Sequence, residues 1–244
     1  MERHHADAPE RTARRPPRKR PACPQWYLLG LAVGRTVARS AETYGPCTTC
    51  YNRFVHWRRA GVWDRIMQAL AAAHDAAVQM IDTSVVRVHQ YGACIAGNSE
   101  QHMGRSRGGL TSKVHAVVDA NGLPVRLGVT PGEAHDNRLC PLLLAGLRPR
   151  TMVLADRGYD ADWIRAFVNQ QGAWANIPPK LNRKEPICFS PHLYRAHNLV
   201  ERFFNKIKQC RRIASRYDKL AANYLAFIKL ASIRLWLRTY ESTP

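Results

Sequence analysis

Three acidic residues have the type and setting needed for metal-dependent phosphate chemistry. Asp82 and Asp156 each follow a short apolar run, and Glu201 lies within an amphipathic one. Carboxylate oxygens are preferred ligands of Mg²⁺, and two such ions about 3.5–4 Å apart stabilise the attacking and leaving oxygens of a phosphodiester. We therefore expect Asp82, Asp156 and Glu201 to be catalytic metal ligands for two Mg²⁺ ions, with Mn²⁺ as a substitute.

The charge of the chain points to the same kind of substrate. The 37 Lys and Arg residues outnumber the 18 Asp and Glu residues, which gives a net charge of +19. Such an excess of cations repels itself unless a polyanion binds, and nucleic acid is the usual one. At 244 residues and 45% hydrophobic content, the chain suits one catalytic domain with a core and a small appendage.

The targeting signals favour a cytoplasmic, nucleoid-associated protein with no membrane partner. No apolar run reaches transmembrane length, and the N-terminus is polar and Arg-rich rather than a signal peptide. Seven cysteines, an odd count, predict reduced thiols. Cys47 and Cys50 form one CxxC without a second pair at finger spacing, so two cysteines at a helix start are favoured over a zinc site.

The N-terminal part divides into two segments. Residues 1–40 form a basic segment that we expect to be disordered, because its first 22 residues contain almost no aliphatic side chains. Residues 41–77 predict two helices, the first capped by Thr48 or Thr49 and ended by Gly61. Basic residues on the first helix, which make it a candidate DNA-binding surface of helix-turn-helix type, are Arg53, Arg58 and Arg59. A plain helical hairpin is the alternative.

Residues 78–240 read as a mixed α/β catalytic domain. Predicted strands cover 78–89, 111–119, 123–130, 151–155 and 173–177, and predicted helices lie near 139–147, 160–171, 197–211 and 218–239. Asn121-Gly122 predicts a hairpin turn between the second and third strands, and 92–110 predicts a flexible basic loop. This order fits an RNase H-like domain, a hairpin-rich mixed sheet with helices on both faces.

Other polar residues need an interpretation beside the three carboxylates. Lys208 follows Glu201 by nearly two helical turns, so both face the same way and Lys208 is placed to hold a phosphate. Asp119 reads as a turn residue and Asp160 as a helix N-cap. Glu133 and Asp136 lie in a loop near the expected site, where an ordinary loop role is favoured over metal binding, and Tyr159 fits either the site or the core.

Four segments together resemble bacterial insertion-sequence DDE transposases of the IS-five kind, within the IS-four superfamily. They are Ile81-Asp82-Thr83-Ser84, Gly108–His115, Leu154–Asp160 and Asn198–Asn205, and Arg211–Lys219 looks like the same family. The resemblance covers roughly residues 43–238. It implies a DDE triad at Asp82, Asp156 and Glu201, Mg²⁺, and cleavage and strand transfer on DNA, with terminal inverted repeats and target DNA as partners and a homodimer in the DNA complex.

The superfamily's signature around the glutamate places further residues on DNA. Tyr194, Glu201 and Lys208 match its spacing, but His197 stands where the family has Arg. Arg195 or Arg202 would then replace that phosphate clamp, or His197 would act when protonated. The expected DNA-binding set of this region is Tyr194, His197, Arg202, Lys208, Arg211 and Arg212.

The N-terminal residues depart from the family pattern, which leaves alternatives open. Residues 1–39 do not resemble the longer amphipathic helical segment usual there, and similarity begins near Glu42. A catalytically inactive or truncated remnant that only binds DNA is therefore the alternative to an active transposase. An RNase H-like host nuclease is a third reading, which the family resemblance opposes.

Overall fold

The structure is a computed structural model that describes residues 46–93 and 101–241. The basic segment 1–40 and the point near Glu42 where family similarity begins lie outside the described residues. The Cys47 side chain is also outside them, so the interpretation of the CxxC pair stays a prediction.

In the described part of the chain, seven strands form one mixed sheet. The strands are β1 (Val78–Val88), β2 (Gly104–Ser106), β3 (Gly109–Asp119), β4 (Pro124–Pro131), β5 (Met152–Ala155), β6 (Trp174–Asn176) and β7 (Ser215–Arg216). β1 is central, antiparallel to β3 and parallel to β5 and β7. β3 also pairs antiparallel with β2 and β4, and β5 pairs parallel with β6. The predicted α/β class, with its mixed sheet, is confirmed.

The β3–β4 hairpin forms where the Asn-Gly pair predicts it. Gly122 has a φ of 73°, a left-handed conformation that glycine adopts without steric cost. The carboxylate of Asp119 accepts the backbone N–H groups of Asn121 and Leu123 at 2.9 and 2.8 Å. Asp119 is therefore the turn residue that its position in the sequence indicates.

Helices cover both faces of the sheet, because each face presents a cluster of apolar side chains. The helices are α1 (Cys47–Arg59), α2 (Val62–Ala71), α3 (Cys140–Leu143), α4 (Asp162–Gln170), α5 (Pro191–Tyr194), α6 (Asn198–Lys208), α7 (Arg211–Ala214) and α8 (Ala221–Glu241). α6 and α8 pack on the face that carries Met80 and Val86. α3 and α4 pack on the opposite face, against Ile81 and Ala155.

The helical pair α1–α2 shares a core with α8 and β4. Phe54 is only 1% exposed, and its ring lies 5.0 Å from Phe227 of α8 and 5.9 Å from Trp63 of α2. Lys229 of α8 makes an ion pair with Asp64 of α2. The expected turn is present, with Gly61 in the left-handed conformation. The expected cap is wrong, because Pro46 occupies the N-cap position of α1 and no side chain caps it.

Other local expectations differ from the structure where tertiary contacts decide the outcome. The expected loop 92–110 contains β2 and the start of β3, which pair with each other. The helix near 139–147 shrinks to α3, preceded by a 3₁₀ turn at Asp136–Leu139. Asp160 is not an N-cap, since Ala161 occupies that position; it lies buried and accepts hydrogen bonds from Arg165 and Arg183. Those bonds hold the pKa of Asp160 low despite its burial.

We expect Phe54→Ala to destabilise the whole described unit rather than α1 and α2 alone. Truncating a buried aromatic ring typically costs about 3–5 kcal/mol, and this ring bridges α1, α2 and α8. Urea unfolding followed by tryptophan fluorescence and by circular dichroism measures the effect, with the part-exposed Leu237→Ala as control. Two separate transitions in the variant would contradict a shared core.

Candidate active site

The pairing of β1 with β5 brings Asp82 and Asp156 together. The register aligns Met80 with Leu154 and Ile81 with Ala155, so Asp82 and Asp156 come next on the two strands. Asp156 is still extended, with φ −73° and ψ 174°, so the alternation of side chains continues. Both carboxylates therefore point to the face covered by α6.

Asp82 is the carboxylate with the strongest electrostatic perturbation. Burial, together with the negative charges of Asp156, Glu201 and Asp136, raises its pKa to about 7. A hydrogen bond from the backbone N–H of Thr83, 2.7 Å from Oδ1, opposes the shift without cancelling it. Like charges crowded around a buried carboxylate favour a proton or a cation there.

Helix α6 supplies the third carboxylate and a lysine. Its apolar side buries Val200, Phe203 and Ile207 in the core, which leaves Glu201 exposed on the other side. Lys208 lies closer to the sheet, where its Nζ donates to Ser84 Oγ at 2.6 Å. Burial lowers the pKa of Lys208. Ser84 and Asp82 are two residues apart on β1, so Lys208 and Asp82 lie on the same face of the strand.

His197 and Tyr194 form a stacked pair at the entry to α6. Their ring centroids are 5.1 Å apart with an interplanar angle of 14°. His197 is 4% exposed, and its Nε2 lies 3.2 Å from the carbonyl oxygen of Ile81. A carbonyl only accepts, so Nε2 carries the proton, and burial lowers the pKa of the ring. The expectation that His197 acts when protonated disagrees with this environment, which favours a neutral ring that anchors α6 beside Asp82.

A second polar cluster lies on the opposite face of β1. Asp136 accepts a hydrogen bond from Thr83 Oγ1 at 2.9 Å and an ion pair from Lys113 Nζ at 2.9 Å. Burial alone would raise the pKa of Asp136, but the bonds from Lys113 and Thr83 bring it below its usual range. Asp136 thus holds the residue next to Asp82 in place. The sequence pointed to Asp136 only through its position in the Gly-rich loop. Its partners, Thr83 and Lys113, lie on strands that are distant from it in the sequence.

The remaining predicted DNA-binding residues are spread over two surfaces. Arg202, next to Glu201 on α6, and Arg211, at the start of α7, are exposed, whereas Arg53, Arg58 and Arg59 lie on α1. Arg212 is already engaged. Its guanidinium pairs with Asp218 at 3.2 Å and lies 4.8 Å from the ring centroid of Phe227.

The chemistry of the carboxylates fits a hard divalent cation. All three are oxygen donors, and the raised pKa of Asp82 indicates negative charge that a cation would neutralise. Within residues 46–93 and 101–241, no group of three Asp, Glu, His or Cys side chains stands close enough to hold one ion as placed.

The comparisons with known proteins agree with this fold and these motifs. The family model described as "Transposase DDE domain" matches residues 73–236. The chain therefore belongs to the DDE-domain transposase family. This supports the resemblance to bacterial insertion-sequence transposases, while the narrower IS-five assignment stays a prediction. Membership implies use of a divalent metal ion.

Two curated relatives come from bacteria. "Putative transposase for insertion sequence element IS6501" from Brucella ovis is 42% identical over 130 residues, 53% of this chain and 100% of the relative. "Transposase for insertion sequence element IS1106" from Neisseria meningitidis is 30% identical over 128 residues, 50% of this chain but 42% of that relative. Among solved structures, the catalytic core of BIV integrase is similar with a TM-score of 0.37 and 16% identity, covering 69% of this chain and 98% of that one.

The sequence favours a protein with no membrane partner. Among the described residues, no helix combines the length and apolar character needed to cross a bilayer.

We expect Asp82→Asn to remove a pH-dependent loss of stability in the metal-free protein. The Asp82 carboxyl ionises near pH 4 when unfolded but near pH 7 when folded, so its stabilising contribution is full below about pH 4 and lost as the pH rises to 7. The Tm of Asp82→Asn relative to the parent should therefore increase between pH 4 and 8, by at least about 2–4 °C.

Differential scanning calorimetry in EDTA measures this difference, with Glu241→Gln as the control carboxyl variant. Parallel Tm profiles for the parent and Asp82→Asn would show that the Asp82 carboxyl is not perturbed.

Proposed function

We propose that the protein is the transposase of an insertion sequence, which binds the element's terminal inverted repeats and catalyses DNA cleavage and strand transfer. The observation that carries this proposal is the β1–β5 register, which puts Asp82 beside Asp156 on the face covered by α6, the helix that carries Glu201, in a DDE-family chain. The net charge of +19 supports DNA as the partner.

In this proposal, Asp82, Asp156 and Glu201 hold two Mg²⁺ ions. The ions, when bound, activate a water or 3′-hydroxyl and stabilise charge on the phosphodiester oxygens. Asp82 and Asp156 define the fixed side of the site, because Asp82 lies within β1 and Asp156 directly follows β5, which pairs with β1. Glu201 closes the other side from α6. Lys208, next to Ser84, contacts a flanking phosphate as a point charge.

The basic surfaces supply the rest of the DNA contact. Arg202 and Arg211 bind the backbone near the cut, with Tyr194 beside them. Arg53, Arg58 and Arg59 on α1 contact DNA farther away, as a helix-turn-helix-like region. His197 acts through Ile81 and Tyr194 rather than on DNA directly. Synapsis of two element ends requires a homodimer in the DNA complex.

We expect Glu201→Gln to reduce metal-dependent cleavage and strand transfer about 100-fold or more, because a lost metal ligand removes several kcal/mol of transition-state stabilisation. The assay uses the purified chain, Mg²⁺ or Mn²⁺, and DNA carrying the ends of the encoding element. Glu241→Gln, an exposed glutamate at the end of α8, is the matched control.

The outcomes separate the two functions that the sequence leaves open. Cleavage that vanishes in Glu201→Gln and persists in Glu241→Gln supports an active transposase. Salt-dependent binding of DNA by the parent chain without any cleavage would instead support a remnant that only binds DNA. Cleavage that survives Glu201→Gln would contradict the assigned triad.

We expect Lys208→Gln to weaken DNA binding and to lower the slope of log K against log salt concentration by about 1, since one phosphate contact is lost. Fluorescence anisotropy across a salt series in EDTA measures the slope. Lys219→Gln, a substitution of an exposed lysine, provides the comparison. An unchanged slope in Lys208→Gln would place this lysine off the DNA.

A further inference from the structure

Three aromatic rings form a ladder at the far end of β1. The rings of His89 and Tyr217 are stacked, with centroids 4.5 Å apart and an interplanar angle of 24°. Tyr91 follows at 5.0 Å from His89, tilted by 42°. Tyr91 is 72% exposed, so its outer side is open. We call His89, Tyr91 and Tyr217 the aromatic ladder.

The inner end of the aromatic ladder is fixed by buried contacts. Tyr217 follows Arg216, which is 0% exposed. The guanidinium of Arg216 donates to Ser112 Oγ at 2.8 Å and to the carbonyl oxygens of Asp218 and Lys219 at 2.9 and 3.1 Å. Because a buried cation needs all its donors satisfied, these bonds fix the backbone on both sides of Tyr217.

The outer end is fixed by a tight turn. The backbone N–H of Tyr91 donates to Nδ1 of His89 at 3.3 Å, and the N–H of His89 donates to the Arg216 carbonyl at 2.8 Å. A Cβ at Gly92 would lie 2.8 Å from that same carbonyl oxygen, so the turn packs directly on β7. An exposed tyrosine held this firmly loses little conformational entropy when a ligand stacks on it.

Cations flank the aromatic ladder. Arg87 is exposed on β1, and its guanidinium lies 3.7 Å from where a Cβ of Gly108 would be, over the β2–β3 turn. Arg105 and Arg107 are exposed on the same hairpin. Glu133, which packs against Gly104, is an acidic neighbour of this hairpin. An exposed ring beside several cations matches a nucleic-acid strand, whose bases stack and whose phosphates are negative.

The position of the aromatic ladder suits a DNA strand that has separated from its duplex. β1 pairs with β5 up to Ile81 and with β7 from Arg87, which leaves that edge without a strand partner between them. His89 and Arg87 lie on the face of β1 opposite Asp82, by strand alternation. His89 is seven residues from Asp82, about 23 Å at 3.3 Å per residue.

We propose that the aromatic ladder is a stacking site for an unpaired base of the DNA, away from the bond that is cut. Tyr91 receives the base on its open side, and Arg87 and Arg107 contact the neighbouring phosphates. The ligand class is single-stranded or frayed DNA rather than intact duplex. The inference rests on the proposed function only in taking DNA as the polymer.

The test is a binding experiment in EDTA, so that no cleavage is involved. The probe is a 20-nucleotide single strand containing 2-aminopurine, compared with a blunt duplex of the same sequence. Tyr91→Ala should raise the Kd for the single strand about tenfold, because one base–aromatic stack is lost, and should abolish the quenching of 2-aminopurine. The duplex Kd should change much less, and the salt slope should stay constant, since no phosphate contact is removed.

Matched variants separate stacking from other roles. Tyr240→Ala, an exposed tyrosine on α8, should change neither Kd, and Tyr91→Trp should restore binding. Arg87→Gln should lower the salt slope by about 1 and keep the quenching. An equal loss of duplex and single-strand affinity in Tyr91→Ala would overturn the proposal. So would an unchanged Kd accompanied by a change of oligomeric state, which would make the aromatic ladder a protein interface.

The result is separable from that of the cleavage assay. If the parent chain cuts element ends and Tyr91→Ala leaves binding and quenching unchanged, the stacking site is wrong and the transposase proposal stands. If the parent chain cuts nothing yet quenches 2-aminopurine in a Tyr91-dependent way, the stacking site stands without the catalytic function.

Discussion

The register between β1 and β5 is the constraint on which the candidate site depends. Ile81 pairs with Ala155, so the next residue on each strand is an aspartate, and strand alternation turns both side chains to the face under α6. A shift of one residue would send Asp82 to the other face, into the packing of α3 and α4. β5 then ends while β1 continues. On the part of β1 beyond the end of β5, Ser84 accepts a hydrogen bond from Lys208 of α6, and Thr83 donates one to Asp136 in the loop after β4.

The fold disfavours a negative charge on the Asp82 carboxylate. Two other buried ionic groups are matched closely, Asp160 by Arg165 and Arg183, and Arg216 by carbonyl and hydroxyl oxygens. Asp82 accepts a hydrogen bond from the backbone N–H of Thr83, and burial nevertheless raises the pKa of its carboxyl. The contrast separates charges that stabilise the fold from a charge that destabilises it. Residues of the second kind are expected where a ligand completes the site.

The sequence predicts the parts of this fold that have a local cause. Alternating and continuous apolar runs located β1, β3, β4 and β5, and the Asn121-Gly122 pair located the hairpin, because strand period and turn chemistry act over a few residues. The short strands β2 and β7 carry no such pattern. Their formation depends on partners far away in the chain.

The same distinction applies to the candidate site. Asp82, Asp156 and Glu201 stand out in the sequence because each has a recognisable neighbourhood, although their roles stay predictions. The partners of Asp136, Asp160 and His197 come from other elements, with His197 and Ile81 separated by 116 residues. An N-cap is a reasonable expectation for Asp160, yet two arginines outcompete the helix for its oxygens. Burial likewise overrides the usual pKa of His197, which no local pattern reveals.

In the proposed function, the shared core of α1, α2 and α8 limits the distance between the DNA that α1 contacts and the bond that is cut. Because Phe54, Trp63 and Phe227 pack as one cluster, the basic side of α1 cannot swing freely relative to the sheet. In the proposed function, the spacing between the sequence that α1 contacts and the bond that is cut is then a property of side-chain packing. No linker length sets it. An insertion in α8 would rotate the residues beyond it by about 100° and shift them by about 1.5 Å, which would disrupt the shared core together with this spacing.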